Sequence, residues 1–163
     1  MNHRIFFATF VFLVFASLPI AVAQEYNFAT GYFTITFVTI KAGIPETLSE
    51  RVLGDSTPIY EMRIDFSRSL TQPRITIETT DTSDLSILPG GLIYTYINIT
   101  TEKINGDSDI QDLKMKIRVP QDWMKDNNIA PDSVKMLRLT SVWNELETTM
   151  LSQDADFVYY QVD

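Results

Sequence analysis

The 163-residue sequence contains no cysteine and a single histidine, His3. Beyond that position the chain offers neither a thiol nor an imidazole. A Ser-His-Asp triad, a Cys-His pair, a histidine-ligated zinc centre and a thiol redox couple would each lack a required group. Carboxylate acid–base chemistry, serine–lysine chemistry and calcium held by oxygen ligands stay open. Positive charge is also in short supply, with 13 Lys and Arg against 21 Asp and Glu and a net charge of −8. A nucleic-acid footprint needs a basic patch or stripe, so no nucleic-acid partner is expected. Six glycines and seven prolines are too few for a collagen-like or low-complexity chain. Without disulfides, stability has to come from a packed core, which the 45% hydrophobic content is sufficient to build.

Charge is absent from one long stretch. After the cationic start His3-Arg4, residues Ile5 to Ala23 carry no ionisable side chain, Pro19 interrupts them, and Ala21-Val22-Ala23 supplies the small-x-small pattern of a signal-peptidase site. The sequence therefore predicts a signal helix over residues 1–23, cleavage between Ala23 and Gln24, and a single domain over 24–163. Cleavage removes His3 and Arg4, so the mature balance falls from −8 to −9 and no histidine is left. The alternative is an uncleaved anchor, since the apolar stretch approaches the roughly 20 residues that span a bilayer. Either outcome places the body of the protein outside the cytoplasm.

Over the rest of the chain the dominant signal is alternation with period two, which marks strands with one buried face. Phe33, Ile35 and Phe37 alternate with threonines. Tyr60, Met62, Ile64 and Phe66 alternate with Glu61, Arg63 and Asp65, and Leu113, Met115, Ile117 and Val119 alternate with Lys114, Lys116 and Arg118. Ile75 and Ile77 repeat the pattern, and the run Phe157 to Tyr160 is apolar on both sides. Turn residues separate these runs at Gly43–Pro45, Gly54–Pro58, Pro73, Pro89–Gly91, Asn105–Asp107 and Pro131. Such spacing predicts an all-β fold, an antiparallel β-sandwich of immunoglobulin-like or related type. One short helix is expected over Pro120–Asn128, with Pro120 at its first turn and the asparagines at its end. A second helical turn is expected near Glu46–Val52. Trp123, on the first helix, is expected to plug one end of the sandwich.

From Pro89 onward the residues carry a family resemblance. Pro89-Gly90-Gly91-Leu92-Ile93-Tyr94-Thr95-Tyr96-Ile97-Asn98-Ile99 is followed by Asp122-Trp123-Met124-Lys125-Asp126-Asn127-Asn128-Ile129, then Val134, Leu137-Arg138 and Trp143-Asn144-Glu145-Leu146-Glu147-Thr148. With Pro58-Ile59-Tyr60-Glu61-Met62 upstream, this order resembles the PGF-pre-PGF domain, a module of archaeal cell-surface proteins, best over residues 56–163 and more weakly over 26–55. The resemblance implies a non-enzymatic envelope module. It also implies a threonine-proline-glycine-phenylalanine stretch and an anchor after the last strand. The sequence ends at Asp163, so as a family member it is expected to be C-terminally incomplete.

Three groups of residues are candidates for chemistry or binding. Trp143, Glu145 and Glu147 would share one strand face with carboxylates roughly 7 Å apart, a spacing compatible with an inverting glycosidase, and the indole could stack on a sugar. The plainer reading has Trp143 and Leu146 turned inward and the glutamates solvated. Asn105, Asp107, Asp109 and Asp112 gather oxygen ligands for calcium, against the reading of a solvated acidic loop, since an EF-hand would need an acid where Lys116 stands. Asp55-Ser56-Thr57 and Asp81-Thr82-Ser83 start like aspartic-protease triplets but lack the following glycine, and read as turns. Asn98-Ile99-Thr100 is the one N-glycosylation sequon. Its strand looks apolar on both sides, hence central, so burial is expected to hide Asn98. The predicted function is an exported structural or interaction module without a cofactor. Its partners would be envelope proteins or glycans, and it would touch the membrane only through an uncleaved leader or a missing C-terminal anchor. The alternatives are a glycan- or protein-binding domain and, more remotely, a two-carboxylate glycoside hydrolase.

Overall fold

The alternating runs become strands because each can send one row of side chains into an apolar layer and the other to water. The computed structural model describes residues 21–27, 32–54, 57–80 and 89–163; residues 1–20 of the predicted signal helix (1–23) and the turns Asp55-Ser56 and Asp81-Thr82-Ser83 lie outside them, while Ala21–Ala23, expected to end that helix, are in a strand. Two antiparallel sheets carry the architecture. The first has the order β1 (Ala21–Asn27), β2 (Tyr32–Phe37), β7 (Arg74–Thr80), β8 (Tyr96–Glu102). The second has the order β12 (Thr148–Gln153), β13 (Phe157–Val162), β9 (Ile110–Pro120), β5 (Ile59–Phe66), β4 (Glu46–Ser49). Two-residue strands β3 (Thr39–Ile40) and β6 (Leu70–Thr71) pair with each other, and β10 (Met136–Leu139) pairs with β11 (Trp143–Leu146) as a separate hairpin.

Both sheets feed one core. Phe33, Ile35 and Phe37 of β2 and Ile75 and Ile77 of β7 belong to the same buried cluster as Ile59, Met62, Ile64 and Phe66 of β5. Met115, Ile117 and Val119 of β9 and Val158, Tyr160 and Val162 of β13 complete it. The all-β sandwich expected from the alternation is therefore the fold. On the outer face of the first sheet, Thr34 and Thr76 stand opposite each other and their hydroxyls hydrogen-bond at 3.0 Å, a cross-strand pair that adds to the register.

The helical expectations hold in part. Helix α3 spans Gln121–Asp126 directly after Pro120, and Asn128 beyond its end takes φ +55°, the left-handed turn that asparagine tolerates. Its buried side chain is Met124, whereas Trp123 is half-buried against the core with its ring centroid 4.9 Å from that of Tyr94. Near Glu46 the expected helical turn begins later: Glu46–Ser49 is strand β4, and helix α1 occupies Glu50–Leu53 before Gly54 at φ +69°. A further four-residue turn, α2 (Gly106–Asp109), leads into β9.

Two corrections concern strand placement. The strand carrying Asn98 is not central: β8 pairs with β7 alone among the described strands and closes one edge of its sheet. The alternation of β5 also breaks at Tyr60, because Ile59 pairs with Ile117 and Glu61 with Lys116, leaving Tyr60 as the extra residue of a β-bulge. Ile59 is buried in its place.

A shared core makes specific demands on stability. Phe33 and Phe66 are both 0% exposed and come from opposite sheets. Phe33→Ala and Phe66→Ala should each cost about 3–5 kcal/mol in urea unfolding; a cost below about 1 kcal/mol for either would detach its sheet from the core. Glu46 is only 6% exposed, and burial raises its carboxyl pKa, so at neutral pH its charge opposes folding. Glu46→Gln should raise the melting temperature at pH 7, and an unchanged or lower value would contradict this.

Candidate functional site

The outer face of the five-stranded sheet collects the side chains that the buried rows of β5, β9 and β13 leave outside. Its ionic groups are paired, within β5, between neighbouring strands and with residues just beyond them. Lys116 Nζ lies 2.9 Å from Glu61, Lys114 Nζ donates to Asp163 at 2.7 Å, Arg63 reaches Asp65 at 3.5 Å, and Arg118 pairs with Glu50. The hydrogen bond to Asp163 raises the Lys114 pKa, and the one to Glu61 does the same for Lys116. Exposed pairs of this kind are worth roughly 0–1 kcal/mol each, so their main effect is to balance the charge of this face in a chain of net −8.

Beside the ion pairs lies an aromatic group. The bulge carries Tyr60 to the ring of Tyr159, edge to face at 5.3 Å; Phe157 lies 6.3 Å from Tyr159; and the Arg118 guanidinium sits 4.9 Å over the Phe157 ring. All three rings are half-buried. Asp154, in the turn between β12 and β13, accepts the backbone N–H groups of Asp156 and Phe157 and the Tyr159 hydroxyl at 2.7 Å. That bond pushes the Tyr159 pKa up to about 12 and lowers that of Asp154. The face holds a shallow depression of about 220 Å³ lined by Glu61, Arg63, Lys114, Lys116 and Gln161. Enclosing small-molecule sites are typically about 300–1,000 Å³, so this surface suits contact with an extended partner better than engulfing a substrate.

The residues singled out by sequence fall elsewhere. Trp143 and Glu145 lie on β11, but the strand ends at Leu146, and Glu147 sits in the link to β12. Trp143 and Leu146 are half-buried, Leu146 packed against the core, while Glu145 and Glu147 are exposed. Glu145 pairs with Lys135 at 3.0 Å.

The acidic loop is likewise arranged differently from a calcium cradle. Asp109 is 2% exposed, and both its oxygens accept from Arg68, one of them at 2.8 Å from Nη2; its Oδ2 also accepts the backbone N–H of Asn105 at 2.7 Å. These bonds hold its carboxyl down at about 2. Asp112 stands on β9 opposite Asp65. The side chain of Asp107 lies outside the described set, and among the described residues no three His, Asp or Glu side chains converge as a metal site. Asn98 is exposed, contrary to the expected burial. Ala23 and Gln24 lie within β1, opposite Thr36 and Ile35. No described helix is long and apolar enough to cross a membrane.

Alternation alone did not reveal the aromatic group. It placed Tyr60 in the buried row, and only the bulge, a property of the pairing with β9, turns it outward. Compared with protein-family models, curated proteins and solved structures, the chain shows no significant match in any of the three.

The Arg68–Asp109 contact implies a pH dependence. A folded pKa of about 2 against an ordinary 3.8 means that the ionised carboxylate stabilises the fold above about pH 4 and that this contribution is lost as pH falls toward 2. Thermal melts should therefore show a smaller decline between pH 4 and 2 in Asp109→Asn than in the parent; parallel profiles would remove the contact from the stability account.

Proposed function

We propose that the protein is an exported, non-catalytic cell-surface module that engages envelope proteins or glycans through the outer face of its five-stranded sheet. The observation that carries this reading is the half-buried group Tyr60, Tyr159 and Phe157 with Arg118 stacked on it, on a surface whose ionic groups neutralise one another. Aromatic and arginine side chains are the usual anchors of interfaces, and a charge-balanced surround lowers the desolvation cost of contact. The leader-like residues before Gln24 support export. The lack of histidine and cysteine downstream, with Glu145 tied to Lys135, favours binding over catalysis. The resemblance to the PGF-pre-PGF domain of archaeal surface proteins agrees with the same reading.

Two measurements test it. Expressed with its leader in an archaeal host, the protein should be recovered outside the cytoplasm with Gln24 at its N-terminus; an intact leader on cytoplasmic material would refute export. Sedimentation with isolated cell envelopes should show binding that Tyr60→Ala/Tyr159→Ala weakens at least about tenfold and Glu145→Gln/Glu147→Gln leaves unchanged. The opposite ranking, or release of sugars from the envelopes, would point to the carboxylates and to hydrolysis.

A further inference from the structure

We infer that Asn98 is an N-glycosylation site, carrying a glycan on the outer face of the first sheet. Burial was the physical argument against the sequon Asn98-Ile99-Thr100, and the fold removes it. β8 is an edge strand among the described residues, and Asn98 and Thr100 are both exposed. Ile97 and Ile99 on the alternate face are half-buried and pack against the core. The two residues that a glycosyl transferase must read therefore point to water, and the residue between them anchors the strand.

The surroundings leave room for a substituent. Asn98 stands opposite Glu78 and Thr100 opposite Thr76 across β7, with Arg74 and Glu102 paired at 3.1 Å one step further along. Glu78 is exposed, and no hydrogen bond engages the Asn98 side-chain amide among the described residues. A glycan would stand over a polar, hydrated face and displace no core contact, the surface setting in which this modification is tolerated. It would also stand beside the edge of β8 that no other described strand pairs.

The reaction is a group transfer without redox change. The co-reactant is an oligosaccharide linked through its reducing-end C1 to a lipid phosphate. A bond forms between that C1 and the Asn98 side-chain nitrogen, the C1–O bond to the phosphate breaks, and the amide proton leaves with the lipid phosphate. The inference rests on the export reading, because such donors are used on the far side of the membrane.

The test is the mass of the recovered protein, produced with its leader in an archaeal host whose own surface glycoprotein is shown to be modified. The parent and Thr100→Ser, which keeps the sequon, should exceed the mass of residues 24–163 by one glycan, and peptide fragmentation should place it on Asn98. Asn98→Gln and Thr100→Ala should lack the increment. A product that starts at Gln24 with unmodified mass overturns the glycan and leaves export standing, whereas cytoplasmic material with its leader intact overturns both.

Discussion

The apolar layer between the two sheets is the constraint on which the rest of the molecule depends. No disulfide closes a loop, so the native arrangement has to be held by side chains that alternate strictly enough to fill one layer from both sides. A register slip of one residue in β9 would send Lys114, Lys116 and Arg118 into that layer and Met115, Ile117 and Val119 to water. The cost of that exchange fixes β9 between β5 and β13, and everything on the outer face inherits its position from it. Polar contacts then tie the connections down: Ser67 donates its backbone N–H to the Asp109 carbonyl, and Arg68 grips the Asp109 carboxylate, joining the end of β5 to the turn before β9.

The proposed contact face follows from a departure from this regularity. One extra residue in β5 lets Ile59 keep its place in the core while Tyr60 joins Tyr159 outside. The tyrosine hydroxyls divide the work along β13. Tyr160 points inward and donates to the Pro131 carbonyl at 2.8 Å, with burial pushing its pKa up to about 12, whereas Tyr159 is braced by Asp154 at the surface. The aromatic set and the paired charges around it are the features on which the proposed contact face rests.

Much of the fold was legible because its signals are local. The period-two rows of β2, β7 and β9 and the Pro120-led helix needed only neighbouring residues to be read. The misreadings share a physical origin in pairing between distant segments. Whether β8 is central or an edge depends on which strands join it, and its own apolar content cannot report that. The bulge at Tyr60 exists only relative to β9. The partner of Asp109 is 41 residues away, and that of Glu145 comes to it through a hairpin. Spacing alone put Glu145 and Glu147 on one strand face, whereas β11 ends between them at Leu146, and the aromatic face required the bulge.

The central claim is that both sheets form one cooperative unit around one core, and native-state hydrogen exchange tests it most directly. Amides of β2 and β7 in the first sheet and of β5, β9 and β13 in the second should exchange with the same opening free energy, equal to that of global unfolding. Protection that separates into two levels, with one sheet opening while the other stays closed, would contradict a shared core and the positioning of the outer face that rests on it.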